Sequence, residues 1–319
     1  MITEFDIINK YLKPLAKKNK SSLDLSDDIY FNSKKGIAIS LDTYVHGKHF
    51  IHTTPDFFLK KVIRSSLSDL ICKGIKPKNY FLSMSLNKKI VNKEWLNKLK
   101  KILKNEQKKF NITLSGGDTT FSSKFSVTVV VVGYSSNKPV LRNTCQINDD
   151  IYVTGNIGDA FLGLSVLTKK KDFGSYNNFF KKSFLEPDLP FKITPFIKNI
   201  ASSSIDISDG LCQDLAHLCK KKMFGAIVNI NKIPISNSTK KLLKKKRILI
   251  KKIFSNGDDY QILFTSNPKN RKKVENLSKK IKIKISRIGK IVRSKNIFYL
   301  FNGKKIILNV NKLGYMHSF

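Results

Sequence analysis

Short strands alternate with amphipathic helices, a break near 138–150 restarts that pattern, and the chain is 319 residues long. Together these predict an α+β protein of two domains, 1–140 and 141–319, each able to bury its own core. Residues 4–18 have helical spacing at Phe5, Ile8, Leu12 and Leu15, and Gly36–Leu41 reads as a short strand. Pro55 opens a helix that runs to about Lys73 and is ended by Gly74. Tyr80–Leu86 alternates as a strand, 93–110 is an amphipathic helix, and Asn111–Leu114 leads into Gly116-Gly117-Asp118. Phe125–Tyr134, with its run Val129–Val132, has the strongest strand pattern. After Asn137-Lys138-Pro139, Ile151–Gly155 reads as strand and turn. Helices are expected from Asp159, after Pro195 and from Ser208-Asp209-Gly210, with strands at 226–230, 260–265, 284–292 and near 297–310.

Sixty Lys and Arg stand against 23 Asp and Glu, a formal charge of +37. A basic chain attracts nucleic acid, but these lysines are spread along its whole length. The Lys runs at 168–171 and 239–246 have no interleaved aromatics on which bases could stack. A solvated lysine coat is expected, with no specific nucleic-acid partner. Apolar runs such as Val129–Val132 are far short of the roughly 20 residues of a membrane span. The opening Met1–Asp6 has acids where a secretory signal has basic residues. Cys72, Cys145, Cys212 and Cys219 form no CxxC pair and read as reduced, buried residues. Cys212, His217 and Cys219 match no common zinc spacing. A cytoplasmic protein without a membrane partner is expected.

The scarce acids are clustered. Nine aspartates fall in short segments rich in small or hydroxyl residues: Asp27-Asp28, Ser40-Leu41-Asp42, Ser68-Asp69, Gly116-Gly117-Asp118, Asp206-Ile207-Ser208-Asp209-Gly210 and Gly257-Asp258-Asp259. Neighbouring carboxylates repel one another, and their physical use is to hold hard divalent cations that leave sites open for phosphate oxygens. Such cations let two phosphates approach and react in line, and an ionised phosphate acceptor needs no strong base. No covalent nucleophile or general base is therefore expected. The G-x-x-x-x-G-K-[ST] loop and the kinase His-Arg-Asp signature are absent. Asp27-Asp28 reads as a turn, Asp42 as closing its strand, Asp69 as helical, and Ser208-Asp209 as the start of the helix Leu211–Lys222, where phosphate is favoured. Any one of these is equally a turn or cap residue. The set is not.

In this order the segments resemble the thiamine-monophosphate kinase family of the superfamily that includes aminoimidazole-ribonucleotide synthetase and selenophosphate synthetase. The resemblance runs nearly end to end and is most specific at Asp42-Thr43-Tyr44-Val45-His46-Gly47-Lys48-His49-Phe50 and Gly116-Gly117-Asp118-Thr119-Thr120. It implies transfer of the ATP γ-phosphoryl group to thiamine monophosphate, with several Mg²⁺ ions and no phosphoenzyme. It also implies a synthetase-like α+β fold, an N-terminal sheet domain that pairs into a homodimer, and an ATP site in the cleft between domains. By the same resemblance Asp28, Ser40, Asp42, Asp69, Asp118, Asp206 and Asp209 hold metal. Gly117, Asp118, Arg142 and Ser208 bind ATP, and His49, Asp258 and Tyr315 line the thiamine phosphate site. The chain departs from the family pattern at Ser26 (usually Gly), Leu41 (usually Thr) and Asp258 (usually Glu). The apolar strand Phe125–Tyr134 is expected to be an edge that dimerisation covers. The alternatives are a superfamily enzyme with another acceptor, or a basic nucleic-acid-binding protein that has lost catalysis.

Overall fold

The computed structural model describes residues 2–306 apart from 246, 247 and 249; Tyr315 lies outside the described residues. The chain opens with α1 (Glu4–Ile7), a π-helical turn at Ile8–Leu12 and α2 (Lys13–Ala16). The first sheet has β1 (Tyr30–Asn32), β2 (Ile37–Val45), β3 (Pro77–Leu86), β4 (Thr113–Phe121) and β5 (Ser126–Tyr134), in the order β1-β2-β5-β3-β4. Helices α3 (Leu59–Cys72) and α4 (Lys93–Phe110) cover one of its faces. The second half contains β6 (Asp150–Thr154), α5 (Asp159–Leu167), α6 (Asn177–Leu185), α7 (Thr194–Ile197), β7 (Ser203–Asp206), α8 (Leu211–Lys220) and β8 (Gly225–Asn229). It continues through α9 (Asn237–Lys244), α10 (Ile250–Phe254), β9 (Ile262–Ser266), α11 (Arg271–Ile281), β10 (Ile285–Val292), β11 (Ile297–Phe301) and β12 (Lys304–Ile306). Its seven strands run β12-β11-β8-β10-β6-β9-β7.

Helix α4 shows how the pattern becomes structure. Asn92 caps it by accepting from the Trp95 N–H, and Asn111 ends it with φ at 52°. Trp95, Leu99, Ile102, Leu103 and Phe110 recur at helical spacing and are buried. That core also holds α3, the buried face of the first sheet, and Tyr152, Ile262 and Phe264 of the second. A second core lies around α8, α10 and the strands Ile151–Val153 and Ala226–Val228. Among the described residues, no helix is long and apolar enough to cross a membrane.

Several expectations are corrected. Phe125–Tyr134 is not an edge: β5 pairs with β2 on one side and β3 on the other, so its valines are satisfied within the chain. The edges are the short β1 and β4, and β4 runs through Gly116-Gly117-Asp118 and is exposed along its whole length. Asp42 lies inside β2 and does not close it. The helix after Pro195 is one turn, while α6, α9, α10 and α11 were not anticipated.

Candidate active site

A cleft of about 1010 Å³ opens between the two halves, and five aspartates from four separate segments face it. Asp28 comes from the turn before β1, Asp42 from β2, Asp69 from α3, Asp206 from the end of β7, and Asp209 from the loop before α8. Strand β1 pairs only with Ile37–Ile39, which leaves the Asp42 segment of β2 as an open edge beside the cleft. Helix α3 fixes Asp69, and the Gly210 N–H donates to Asp214, a cleft aspartate not anticipated from the sequence.

The acids are poorly balanced. Burial, with Asp28 nearby, raises Asp42 to about 6 and Asp206 to about 7. Burial and repulsion from Glu4 and Asp28 raise Asp209 to about 7. Asp69 is driven well above the carboxylate range by burial and then by Asp42, Asp206 and Asp28. Oδ2 of Asp28 is buried without a hydrogen-bond partner. A cation fits this donor set. Among the described residues no three His, Cys, Asp or Glu side chains already form a finished metal site. The acids frame the cleft, so phosphate oxygens would have to complete any coordination shell.

Each aspartate doublet divides its work. Asp27 is fully buried and paired with Lys73 Nζ at 2.9 Å, while Asp28 accepts from Arg142 Nη1 at 2.7 Å. Burial is the largest single influence on the Lys73 ammonium and works against it, but Asp27, Cys72 and Asp28 together outweigh it and the group is raised. Arg142 also donates from Nε to the Ser26 carbonyl at 2.7 Å, which ties it to the cleft rim. Asp259 accepts from the Gly158 and Ala160 N–H groups at the start of α5, and Asp258 faces the cleft. Asp258 has φ of +70°, an uncommon conformation for a side chain at a site. Its N–H donates to the Ser208 carbonyl at 2.9 Å, and Gly257 beside it is needed because a Cβ there would lie 1.7 Å from that oxygen.

His49 lines the cleft, and its Nδ1 accepts the Val45 N–H at 2.9 Å, which leaves Nε2 as the protonated nitrogen of the neutral ring. Ser40 is buried one pleat from Asp42, with its hydroxyl on the Ser66 carbonyl at 3.4 Å. Lys61, Tyr44, His217 and Phe5 also line the site and were missed, since a lone Lys or aromatic residue has no distinctive spacing. Burial lowers His217 to about 4, so it is neutral. Asp172-Phe173-Gly174, which matches a kinase signature by spelling, is a turn whose Phe173 packs in a separate core.

Asp118 and Gly117 do not join the cluster of their own chain. Strands β5 and β3 separate β4 from β2, which puts the two strands about 14 Å apart at ordinary spacing. The pairing Thr43–Thr128–Ser83–Asp118 also puts Asp118 on the face opposite Asp42, whose row is Val129 and Leu82. Among the described residues no helix lies over the face that carries Asp118, and Leu41 (61% exposed) and Phe81 (38%) stand on it.

The sheet domain and the α/β domain that share this cleft both match the AIR synthase related class. The N-terminal domain of AIR synthase related protein matches residues 26–135, and its C-terminal domain matches 146–300. Within that class, the thiamine-monophosphate kinase of Buchnera aphidicola subsp. Schizaphis graminum is 36% identical, over 98% of each chain. That of Haemophilus influenzae is 32% identical over 90% of this chain and 89% of its own. A solved structure described as AaThiL complexed with AMPPCP and TMP shares the fold, with a TM-score of 0.83 and 24% identity over 99% of this chain and 97% of its own. The chain belongs to the thiamine-monophosphate kinase family.

Proposed function

We propose that the protein transfers the γ-phosphoryl group of ATP to thiamine monophosphate, giving thiamine diphosphate and ADP. The observation that carries this reading is the convergence of Asp28, Asp42, Asp69, Asp206 and Asp209, from four separate segments, on one cleft of a chain similar end to end to such kinases. Mg²⁺ is the fitting cation, and when bound it neutralises the phosphate oxygens and holds donor and acceptor in line. Asp28, Asp42, Asp69, Asp206 and Asp209 would hold it, with Ser40 behind Asp42. Ser208, just before α8, and Arg142, on the rim, line the cleft and would meet ATP phosphates. His49 and Asp258, which line the same cleft, would meet the acceptor, whose phosphate oxygen is already ionised and needs no base.

The same reading makes the protein a homodimer. Gly117 and Asp118 reach ATP and metal only if a second copy presents its β4 to the cleft, and the uncovered face of the first sheet supplies the contact. Residues 1–140 then form the metal-binding and dimerisation domain, and 141–319 complete the nucleotide and acceptor sites, in a cytoplasmic enzyme.

The test is ADP release by the purified protein with ATP and Mg²⁺, comparing thiamine monophosphate, aminoimidazole precursors and no acceptor. Release that requires thiamine monophosphate and matches thiamine diphosphate formation is expected. Release that ignores the acceptor, or that follows an aminoimidazole, overturns the reading.

A further inference from the structure

Three basic residues on the first turns of α3 have different fates. Lys60 Nζ is 2.7 Å from Glu186. Arg64 grips Glu106 through Nε at 2.8 Å and Nη2 at 2.9 Å, and donates to the Pro187 carbonyl. Both fasten α3 to neighbouring structure. Lys61 lines the cleft instead. It is 3% exposed, its Nζ is 2.6 Å from Asp258 Oδ1, and the same nitrogen is 3.4 Å from the centroid of the Phe184 ring. Asp258 is its one hydrogen-bonding carboxylate among the described residues. Burial lowers this ammonium, and Asp258 opposes that effect. Among the described residues this ammonium has one carboxylate and one aromatic face, which leaves it donor capacity for an anion that enters the cleft.

Thiamine monophosphate carries both charges this pair could exchange: a permanent thiazolium cation and a phosphate. Its phosphate must enter a cleft walled by aspartates, where a cation is needed close to the acceptor. We infer that Lys61 is a phosphate-binding residue of the acceptor site, held by Asp258 and Phe184 until substrate arrives. The thiazolium ring then takes the Asp258 carboxylate and the Phe184 face, and the released ammonium takes the phosphate. No bond is made or broken; one ion pair becomes two. The inference rests on the thiamine reading above and extends it to residues outside the aspartate set.

Calorimetric titration of the full chain with thiamine monophosphate and with unphosphorylated thiamine tests it. Lys61→Met should weaken the monophosphate about 10- to 100-fold and leave thiamine within about threefold, since only the phosphate loses a charged partner. Lys61→Arg should recover most of the loss. Asp258→Asn should weaken both ligands, and it stands in as the test if Lys61→Met does not fold. Equal losses for both ligands in Lys61→Met, or unchanged monophosphate binding, would show that Lys61 only ties α3 to the second domain and would overturn the inference. Failure of the unaltered chain to bind either thiamine compound, while it still binds ATP, would sink the thiamine reading itself and the inference with it.

Discussion

At the scale of single residues, the site is built from carboxylates held against their preference. Asp206, pushed up to about 7 by burial and by Asp28, shows the consequence. An aspartate in an unfolded chain titrates near 4, so between about pH 4 and 7 the folded protein holds a proton that the unfolded chain has lost. The stability this group contributes is therefore complete at low pH and is lost as pH rises through that window. The metal-free protein should melt at a lower temperature at pH 8 than at pH 5. Asp206→Asn should remove much of that difference and stabilise the metal-free fold at pH 8 by on the order of 2 kcal/mol. The same change should reduce turnover by roughly a thousandfold, a loss typical of removing charge control at a phosphoryl-transfer site. Adding Mg²⁺ at pH 8 should raise the melting temperature of the unaltered protein far more than that of the variant. A melting curve indifferent to pH would show that the acids are not set against one another as the geometry implies.

Individual elements were legible where the sequence had a strong period. Helix α4 matches the expected 93–110 at both ends, because Asn92 and Asn111 give it a start and a stop around a clean apolar face. The glycine-rich stretch Thr113–Phe121 has no alternation of apolar and polar residues, so its extension as β4 was hidden; its strand geometry comes from pairing with β3, not from its own residues. Helix α11 was hidden differently: its lysines mask the buried stripe Val274, Leu277 and Ile281. The aspartate motifs were legible because carboxylates are so rare in this chain, but how each member of a doublet is partnered depends on Lys73 and on the start of α5, distant in sequence. Gly117 tests the β4 pairing. A Cβ there would lie 1.9 Å from the Leu82 carbonyl oxygen, so Gly117→Ala must push β4 away from β3. A loss of about 1–3 kcal/mol in urea unfolding is expected, the usual cost of overpacking, together with weaker self-association. An alanine variant as stable as the parent would mean that β4 is not seated as described.

For the whole molecule, the charge of +37 and the acidic cleft are compatible because the acids are concentrated where the two halves meet. On the proposed reading, what one chain lacks is Asp118, which its own sheet puts at the opposite edge and on the opposite face from Asp42. The exposed apolar residues on that face, Leu41 and Phe81, give a second copy a surface to cover. Leu41→Lys with Phe81→Glu should therefore leave a folded monomer by sedimentation that has lost kinase activity. Complementation provides a sharper test. Asp42→Asn and Asp118→Asn proteins should each be nearly inactive alone. In a mixed dimer, however, one site joins an intact Asp42 from one copy to an intact Asp118 from the other, while the second site carries both lesions. Random exchange makes half the dimers mixed, and each has one good site, so equal mixing should recover about a quarter of the parent activity. Recovery near zero after demonstrated subunit exchange would mean that Asp118 serves its own chain or no site at all, and the two-copy active site would have to be abandoned.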